Sequence, residues 1–291
     1  MPKFAKHIFY PFVIALSMIG AWLLIIRFER IDYVFIPGVV LFPLIILFVL
    51  LEHFFPYQKN WNEPVGDLSS DLIRTFFVLP IAGKFGELLL LLLLYSPLLY
   101  LSSVFNGNLL RSEWGTTLNV ILALLLCEFC YYWIHRLSHK NKLLWRLHAV
   151  HHGAERVYWA NSGRFHFLDA FLGGMAYFLP LVLLGASPEV IVLILTLSGV
   201  SGILEHVNIN FKAGFLNYIF NTAELHRWHH SEKEHESNRN FGKVLIVWDI
   251  IFGSYLWPKK REIENVGIEN EKVPVKFFAQ LIYPFKSREQ D

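Results

Sequence analysis

The chain has 291 residues, of which 54% are hydrophobic and 17% are charged, and its formal net charge at pH 7 is +2. Soluble globular domains carry about a quarter charged residues, so this composition is typical of a membrane protein. The small net charge and the scattered basic residues argue against a nucleic-acid-binding surface.

The N-terminal region predicts two membrane-spanning helices. Residues 8–26 run for nineteen positions without a charge, which is long enough to cross a bilayer. This stretch lacks the short apolar core and the small-residue cleavage site of a signal peptide, so we expect a retained helix. Residues 34–51 form a second apolar stretch, and its prolines, Pro37 and Pro43, are tolerated in membrane helices.

Two further spans are predicted after a polar loop over residues 56–71. Residues 76–101 form the third, in which Lys84 and Glu87 are three residues apart and are expected to pair. A short loop through Asn106 and Gly107 leads to the fourth, residues 116–134. The last turn of this fourth helix delivers His135.

Three histidine-rich segments follow, each with histidines three or four residues apart. They are His135 and His139; His148, His151 and His152; and His226, His229 and His230. On helices, such spacings place each set on one face. Helix formation alone does not favour this pattern, because histidine has a mediocre helix propensity. Neutral imidazoles gathered on one helical face, however, bind metals. The pattern therefore predicts a metal site.

Residues 168–204, between the second and third histidine segments, are apolar and interrupted by glycine and proline. Each half is near the lower length limit for spanning. Because the flanking histidine segments must meet, we expect a helical hairpin, either two short spans or a re-entrant pair. The run 244–257 is expected to be strand-like or buried, and the polar residues from 258 onward to be a solvated tail.

The basic residues predict the orientation in the membrane. They are concentrated after the fourth span, at Arg136, Lys140, Lys142, Arg146, Arg156 and Arg164. The positive-inside rule places this segment, and with four spans both termini, in the cytoplasm. We therefore expect an all-α, polytopic membrane bundle capped by a cytoplasmic helical histidine domain, divided into a transmembrane region (1–113), a histidine domain (114–258) and a polar tail (259–291).

The number of imidazoles indicates two metals rather than one, since a catalytic zinc uses only three protein ligands. Imidazole suits iron, copper, nickel and zinc alike, so composition does not identify the metal. The segment HRLSH has Arg136 and Leu137 where the H-E-x-x-H motif of zinc proteases would place its glutamate, which argues against hydrolysis.

The segments HRLSH, HAVHH and HRWHH resemble the histidine boxes of the fatty acid hydroxylase superfamily, which includes sterol desaturases. The phrases YYWIHR, NRNFG and VWDIIFGSYLWP are similar to those of its bacterial members, and the resemblance covers residues 114–258. It implies a multi-pass protein of a bacterial inner membrane with a di-iron centre, which uses O2 to hydroxylate or desaturate a lipid. Between these two outcomes we favour hydroxylation.

The resemblance also implies a ninth ligand, His206. Some relatives place another histidine four residues later, where this chain has Asn210, so Asn210 stays a candidate. Three roles stay open for His166: metal ligation, support of a metal ligand and packing at the membrane interface. His235 lies in a charged run and is expected on the surface.

Metal-bound histidines usually donate their other ring N–H to a carboxylate or a carbonyl. The carboxylates near the boxes are Glu128, Asp169, Glu205, Glu224 and Asp249, for which helix capping and ion pairing are equally open. Four further polar residues are expected to be structural: Asn161, Arg164, Asn238 and Asn240.

A lipid substrate is expected, because a metal centre at the end of a membrane bundle is most readily entered from the bilayer. Electrons must come from a separate ferredoxin, cytochrome or reductase, since the chain has no ferredoxin or dinucleotide-binding motif. Cys127 and Cys130 are expected to be small buried residues. Two other functions stay open: a metal transporter, although its ionisable residues would be expected at mid-membrane, and a catalytically silent scaffold.

Overall fold

The computed structural model describes residues 1–104 and 109–286. Within these ranges every regular element is a helix, and β-structure is limited to three isolated bridges. This confirms the prediction of an all-α fold. The loop predicted at Asn106 and Gly107 and the last five residues of the tail lie outside the described ranges.

Four long helices form the membrane bundle: α1 (Lys3–Arg27), α2 (Ile36–Phe54), α4 (Leu79–Val104) and α5 (Gly115–Lys140), with a short α3 (Leu68–Ile73) before α4. A π-helical turn, Arg74–Val78, joins α3 to α4. By length and composition, four helical segments are able to cross a membrane: Lys3–Arg27, Arg30–Phe54, Leu68–Pro97 and Ser112–Lys140. The four predicted spans are confirmed, as is the pair formed by Lys84 Nζ and Glu87 at 2.9 Å.

The predicted hairpin is also confirmed. It consists of α7 (Phe167–Leu183) and α8 (Pro188–Leu204), of 17 residues each. The former packs against α4 and α5, and the latter against α1 and α2. At the apex, Arg30 Nε lies 3.1 Å from Glu189 Oε1, and the Leu110 N–H donates to Leu184 O at 3.2 Å. The apex thus lies beside the loops at the far end of the bundle.

The histidine segments lie on helices at the opposite end. The C-terminal part of α5 carries the first, α6 (Lys142–His152) the second, and α9 (Ala223–His229) with the residue after it the third. Asn141 caps α6 by accepting the N–H groups of Leu143 and Leu144, and Thr222 caps α9 through the N–H of Glu224. Such caps satisfy N–H groups that a helix start leaves unpaired.

Residues 244–257 are partly buried, but the strand-like alternative is wrong. One bridge joins Leu245 to Phe220, and a short helix, α11 (Val247–Ile251), follows α10 (Glu234–Ser237) along the chain. The side chain of Glu128 in α5 accepts the N–H groups of residues 243, 244 and 245 at 2.8–3.1 Å. A buried carboxylate therefore takes the place of a partner strand.

The prediction of a solvated tail is wrong for part of residues 259–286. Ile263 and Val266 are buried in a small core with Trp61 and Val157. Gln280, on the short helix α12 (Phe277–Ile282), has no exposed surface. The tail therefore packs back onto the histidine end, while the domain boundaries at residues 113 and 258 stay predictions.

Candidate metal centre

All nine histidines predicted as ligands come together at the C-terminal end of α5. They form two groups, and within each group one ring nitrogen per residue lies within 4.8 Å of the others. Group one consists of His135, His139, His148, His152 and His229. Group two consists of His151, His206, His226 and His230.

Two of the contributing helices serve both groups. On α6, His148 and His152 face group one, whereas His151 faces group two. On the third segment, His229 belongs to group one, and His226 and His230 belong to group two. The i, i+4 pairs therefore stay together, because residues four apart lie one above the other on a helix, and the intervening histidine points to the other group.

The Nε2 atoms approach one another closely within each group. In group one, His135 Nε2 lies 3.1 Å from that of His148 and 3.0 Å from that of His229. In group two, the Nε2 atoms of His206 and His226 are 3.1 Å apart. Two nitrogens bound to one metal at right angles, each about 2.1 Å away, would be about 3.0 Å apart. These separations therefore fit shared metal ions.

Six of the nine rings have an oxygen acceptor near Nδ1. The pairs are His135 with Phe241 O (2.7 Å), His139 with Asn238 Oδ1 (3.2 Å), His148 with Asp169 Oδ2 (2.8 Å), His206 with Gly202 O (2.8 Å), His226 with Glu205 Oε2 (3.4 Å) and His229 with Arg239 O (2.7 Å). Carbonyl, amide and ionised carboxylate oxygens only accept, so the neutral rings of His135, His139, His148, His206 and His229 carry their proton on Nδ1. The Nδ1 atom of His226 also contacts the Asn221 amide nitrogen at 3.3 Å, so the assignment covers the other five rings.

The Nε2 atoms of these five rings are consequently unprotonated. The contacts of His135 with His148 and with His229 then bring lone pairs to within 3.0–3.1 Å of one another without a proton between them. A shared hydrogen bond cannot explain such contacts, whereas a cation between the nitrogens can. The donor set therefore fits two metal ions.

Burial keeps the group-two imidazoles neutral. It lowers the pKa of His206 to about 4, and burial together with the neighbouring histidines holds the pKa of His151, His226 and His230 well below the usual range. Neutral imidazole is the form that binds metals, so these rings are ready to ligate at pH 7.

Two of the five candidate carboxylates contact a predicted ligand: Asp169 contacts His148, and Glu205 contacts His226. The others bind loops. Asp249 accepts the N–H groups of residues 241 and 242, both at 2.8 Å, and Glu224 accepts the N–H of Ala213 at 2.7 Å. Glu128 makes the contacts with residues 243–245 described above. These three carboxylates fix the backbone around the centre.

Among the four polar residues expected to be structural, Asn238 differs from the expectation because it contacts His139. Asn240 has a φ of 56° and binds the carbonyls of Leu225 and Leu256. Asn161 donates to Arg156 O, and Arg164 lies 3.5 Å from two aspartates. These three have structural contacts, as expected.

The remaining candidates lie outside both groups. His166 caps α7 by accepting the Leu168 N–H, and its Nε2 is 3.3 Å from Leu281 O, so it joins α7 to the tail. Asn210 donates its backbone N–H to Phe55 O. The side chain of His235 is 77% exposed, as predicted for a surface residue. Cys127 is buried, as expected, whereas Cys130 is only half-buried, and both cysteines are free.

Aromatic residues that the histidine spacing does not predict surround the imidazoles. The ring of Phe165 stacks on that of His151, with centroids 4.2 Å apart and planes 10° apart. Trp145 lies beside His139 and His152, with centroids 5.2 and 5.5 Å away. The position of Phe165 directly before His166 is the signal in the sequence that could have identified it.

A cavity of about 360 Å³ opens beside group one. Its wall includes His139, His152, Trp145 and Asn238, together with the loop 267–270 of the tail. The loops that form it follow the C-terminal end of α5, away from the apolar part of the bundle. Group one is therefore approachable by small polar molecules from the side opposite the membrane helices.

A cage of buried imidazoles at the end of four apolar helices defines a membrane enzyme with a metal-dependent site. The sequence profile of the fatty acid hydroxylase family matches residues 120–254. The chain is 31% identical over 286 residues to the ornithine lipid hydroxylase OlsE of Rhizobium tropici, covering 97% of this chain and 85% of that protein.

More distant relatives match over the histidine domain. The human alkylglycerol monooxygenase is 30% identical over 168 residues, which cover 58% of this chain and 35% of that protein. The sphingolipid C4-hydroxylase of Schizosaccharomyces pombe is 31% identical over 137 residues, 44% of each chain. No solved structure matches. The chain belongs to the fatty acid hydroxylase family and is an oxidoreductase.

Proposed function

We propose that the chain is a di-iron oxygenase that hydroxylates a C–H bond of a membrane lipid, with O2 as co-substrate and electrons from a separate protein. One observation carries this proposal: within each histidine group, buried Nε2 atoms of neighbouring rings face one another at about 3 Å. We assign the group-one histidines to one iron and the group-two histidines to the other.

When bound, the two irons would supply electrons to dioxygen and the oxidising power needed to attack an unactivated C–H bond. The protein supplies orientation and exclusion of water. Asp169 holds the proton of His148 on Nδ1, and the carbonyls of Phe241 and Arg239 do the same for His135 and His229, so that each Nε2 presents its lone pair. Burial of the rings limits side reactions with water.

A lipid is the proposed substrate class because three relatives named above act on lipids by name, and because the helices below the centre expose broad apolar surfaces to the bilayer. Those three relatives are hydroxylases or monooxygenases, which favours hydroxylation over desaturation. The basic residues after α5 support an orientation in which the histidine end faces the cytoplasm, where a ferredoxin, cytochrome or reductase is available.

The test is metal content per chain, measured by mass spectrometry on detergent-purified protein expressed with ample iron. Wild-type protein should hold about two irons, and the His151→Ala variant should hold fewer. His235→Ala is the matched control because its imidazole is exposed, and it should retain the wild-type content. Lipid profiles of cells with and without the protein should then differ by one added oxygen atom in one lipid class.

Absence of bound metal, after a check for loss during purification, would overturn the proposal and favour the silent scaffold. If the purified protein held two zinc ions, the two-metal geometry would be supported but the redox chemistry would not. The protein would then be reconstituted with iron before its activity is measured. Transport rather than oxidation would appear as metal uptake by vesicles containing the protein.

A further inference from the structure

His151 differs from most of the other ligands in what orients its ring. Its Nδ1 is buried and has no hydrogen-bond partner in the described parts of the chain, whereas six other rings are fixed by an oxygen acceptor at Nδ1. Its close orienting contact is the ring of Phe165, which lies parallel to it at 4.2 Å. The direction in which His151 presents Nε2 therefore depends on where Phe165 is held.

Phe165 is held by the π-helical turn before α4. Arg74, the first residue of that turn, donates from Nη1 to Phe165 O at 2.5 Å, and its side chain is completely buried. The next residue, Thr75, donates to Ala160 O at 2.9 Å and packs so closely on Gly163 that a Cβ there would meet Thr75 Oγ1 at 2.4 Å. Turns of this type are frequent at functional sites.

The tail completes the surroundings of Arg74. Its Nε donates to Gln280 Oε1 at 2.8 Å, and its guanidinium lies over the ring of Phe277, 5.0 Å from the centroid. Gln280 is itself fully buried and donates from Nε2 to Pro274 O at 2.7 Å. Ser70 donates to the same Gln280 oxygen at 3.1 Å. The guanidinium is thus fixed between α12 and the loop that carries Phe165.

We propose that Arg74 and Gln280 are positioning residues for His151. They fix Phe165, and Phe165 holds the imidazole in the orientation that directs Nε2 into group two. The inference rests on the proposed binding of metal by the histidines and adds residues to that site. Both residues lie outside the range 120–254 that matches the family profile, so the centre depends on segments on both sides of that range.

A buried network that serves only stability makes a different prediction. Loss of Gln280 would then weaken metal binding by both groups equally, through partial unfolding. A positioning role predicts a selective loss, because Phe165 stacks on His151 of group two. The ring of Phe165 lies 6.1 Å from that of His148 in group one, but Asp169 already fixes His148 through Nδ1 at 2.8 Å. Partners that orient metal ligands typically contribute a factor of about 10 to 100 in metal affinity.

The experiment is a cobalt(II) titration of metal-stripped, full-length protein in detergent, followed by visible absorption. Reference spectra of His148→Ala and His206→Ala assign the absorption bands to group one and group two. Gln280→Met removes the acceptor for Arg74 and should weaken binding at group two about 10- to 100-fold while group one is unchanged. Gln280→Glu retains an acceptor oxygen and should restore binding. Ser70→Ala, which removes another buried hydrogen bond to Gln280, is the matched control and should resemble wild type.

Phe165→Leu tests the same route without altering the tail. It should reproduce the selective loss, and the double variant with Gln280→Met should be no worse than Phe165→Leu alone, because both act through one contact. Equal weakening of both groups, or unchanged binding in Phe165→Leu, would overturn the positioning role. If wild-type protein fails to bind two cobalt ions, the proposed function fails instead, so the two failures are distinguishable.

Discussion

The two histidine groups are built from the same helices but are oriented by different means. In group one, four of five rings have an oxygen acceptor at Nδ1, and in group two only two of four do. The other group-two rings, His151 and His230, have a buried Nδ1 without a hydrogen-bond partner in the described residues. Hydrogen bonds thus fix group one, whereas packing has a larger part in fixing group two.

The groups also differ in the number of donors. Group one offers five imidazoles and group two offers four. We therefore expect group two to lose its metal first.

The largest expected effect is that of removing a ligand. His148→Ala and His206→Ala should each lower the metal content to about one ion per chain, from group one and group two respectively, and should abolish lipid oxidation. Mass spectrometry of the purified variants, alongside lipid profiling, measures both effects. Loss of both metals in either variant would show that the two groups are a single cooperative unit, which would contradict the comparison.

An ion pair outside both groups should affect stability without distinguishing between them. Arg156 forms two hydrogen bonds with Asp67 and two more with the carbonyls of Trp61 and Glu63, and both charged side chains are buried. Arg156→Met leaves a buried carboxylate without this partner, so it should reduce the free energy of unfolding by about 3 to 5 kcal/mol. Thermal unfolding in detergent measures this loss.

The matched control is an exposed pair. Lys233 Nζ lies 2.7 Å from Glu264, with 43% and 69% of the side chains exposed. Lys233→Ala should leave the thermal unfolding close to that of wild type, because solvent screens an exposed ion pair. Arg156→Met should not remove metal from one group only while the protein stays folded. Such a result would show that the difference between the two histidine groups does not arise from local contacts at the imidazole rings.

The smallest expected effect is that of a carboxylate that orients a ligand. Asp169→Asn keeps an oxygen acceptor near His148 Nδ1 but removes the charge, so group-one affinity should fall by about tenfold, the low end for such partners. The affinity of group two should not change. Glu224→Gln is the control, because Glu224 binds the loop at Ala213 rather than a histidine. Metal titration of both variants against wild type measures the difference.

Much of the fold and of the centre follows from the sequence. The four spans are long apolar stretches with few charges, and the histidine spacings place each box on one helical face, so the presence of a metal cluster is predictable. The division into two groups is not, because it depends on the angles at which α5, α6 and α9 meet. His151 and His152 are adjacent in sequence and belong to different groups for this reason.

The two wrong predictions concern segments whose polar groups bind a buried polar side chain instead of a neighbouring strand or solvent. The apolar run from residue 244 reads as a strand, but Glu128 accepts its N–H groups, and no sequence pattern shows that a carboxylate inside a membrane helix does so. The tail reads as solvated because its composition is polar, yet Gln280 is buried where Arg74, more than 200 residues earlier in the chain, needs an acceptor. Contacts over such separations depend on the folded structure.

The hairpin has a consequence for the bilayer itself. Each of its helices has 17 residues and is therefore about 25 Å long, roughly 5 Å shorter than the usual hydrocarbon thickness. Its apex nevertheless lies beside the loops of the long helices at the far end. The membrane must then thin along this side of the protein, so hydrophobic mismatch is built into the fold, and we expect greater stability in bilayers of shorter-chain lipids.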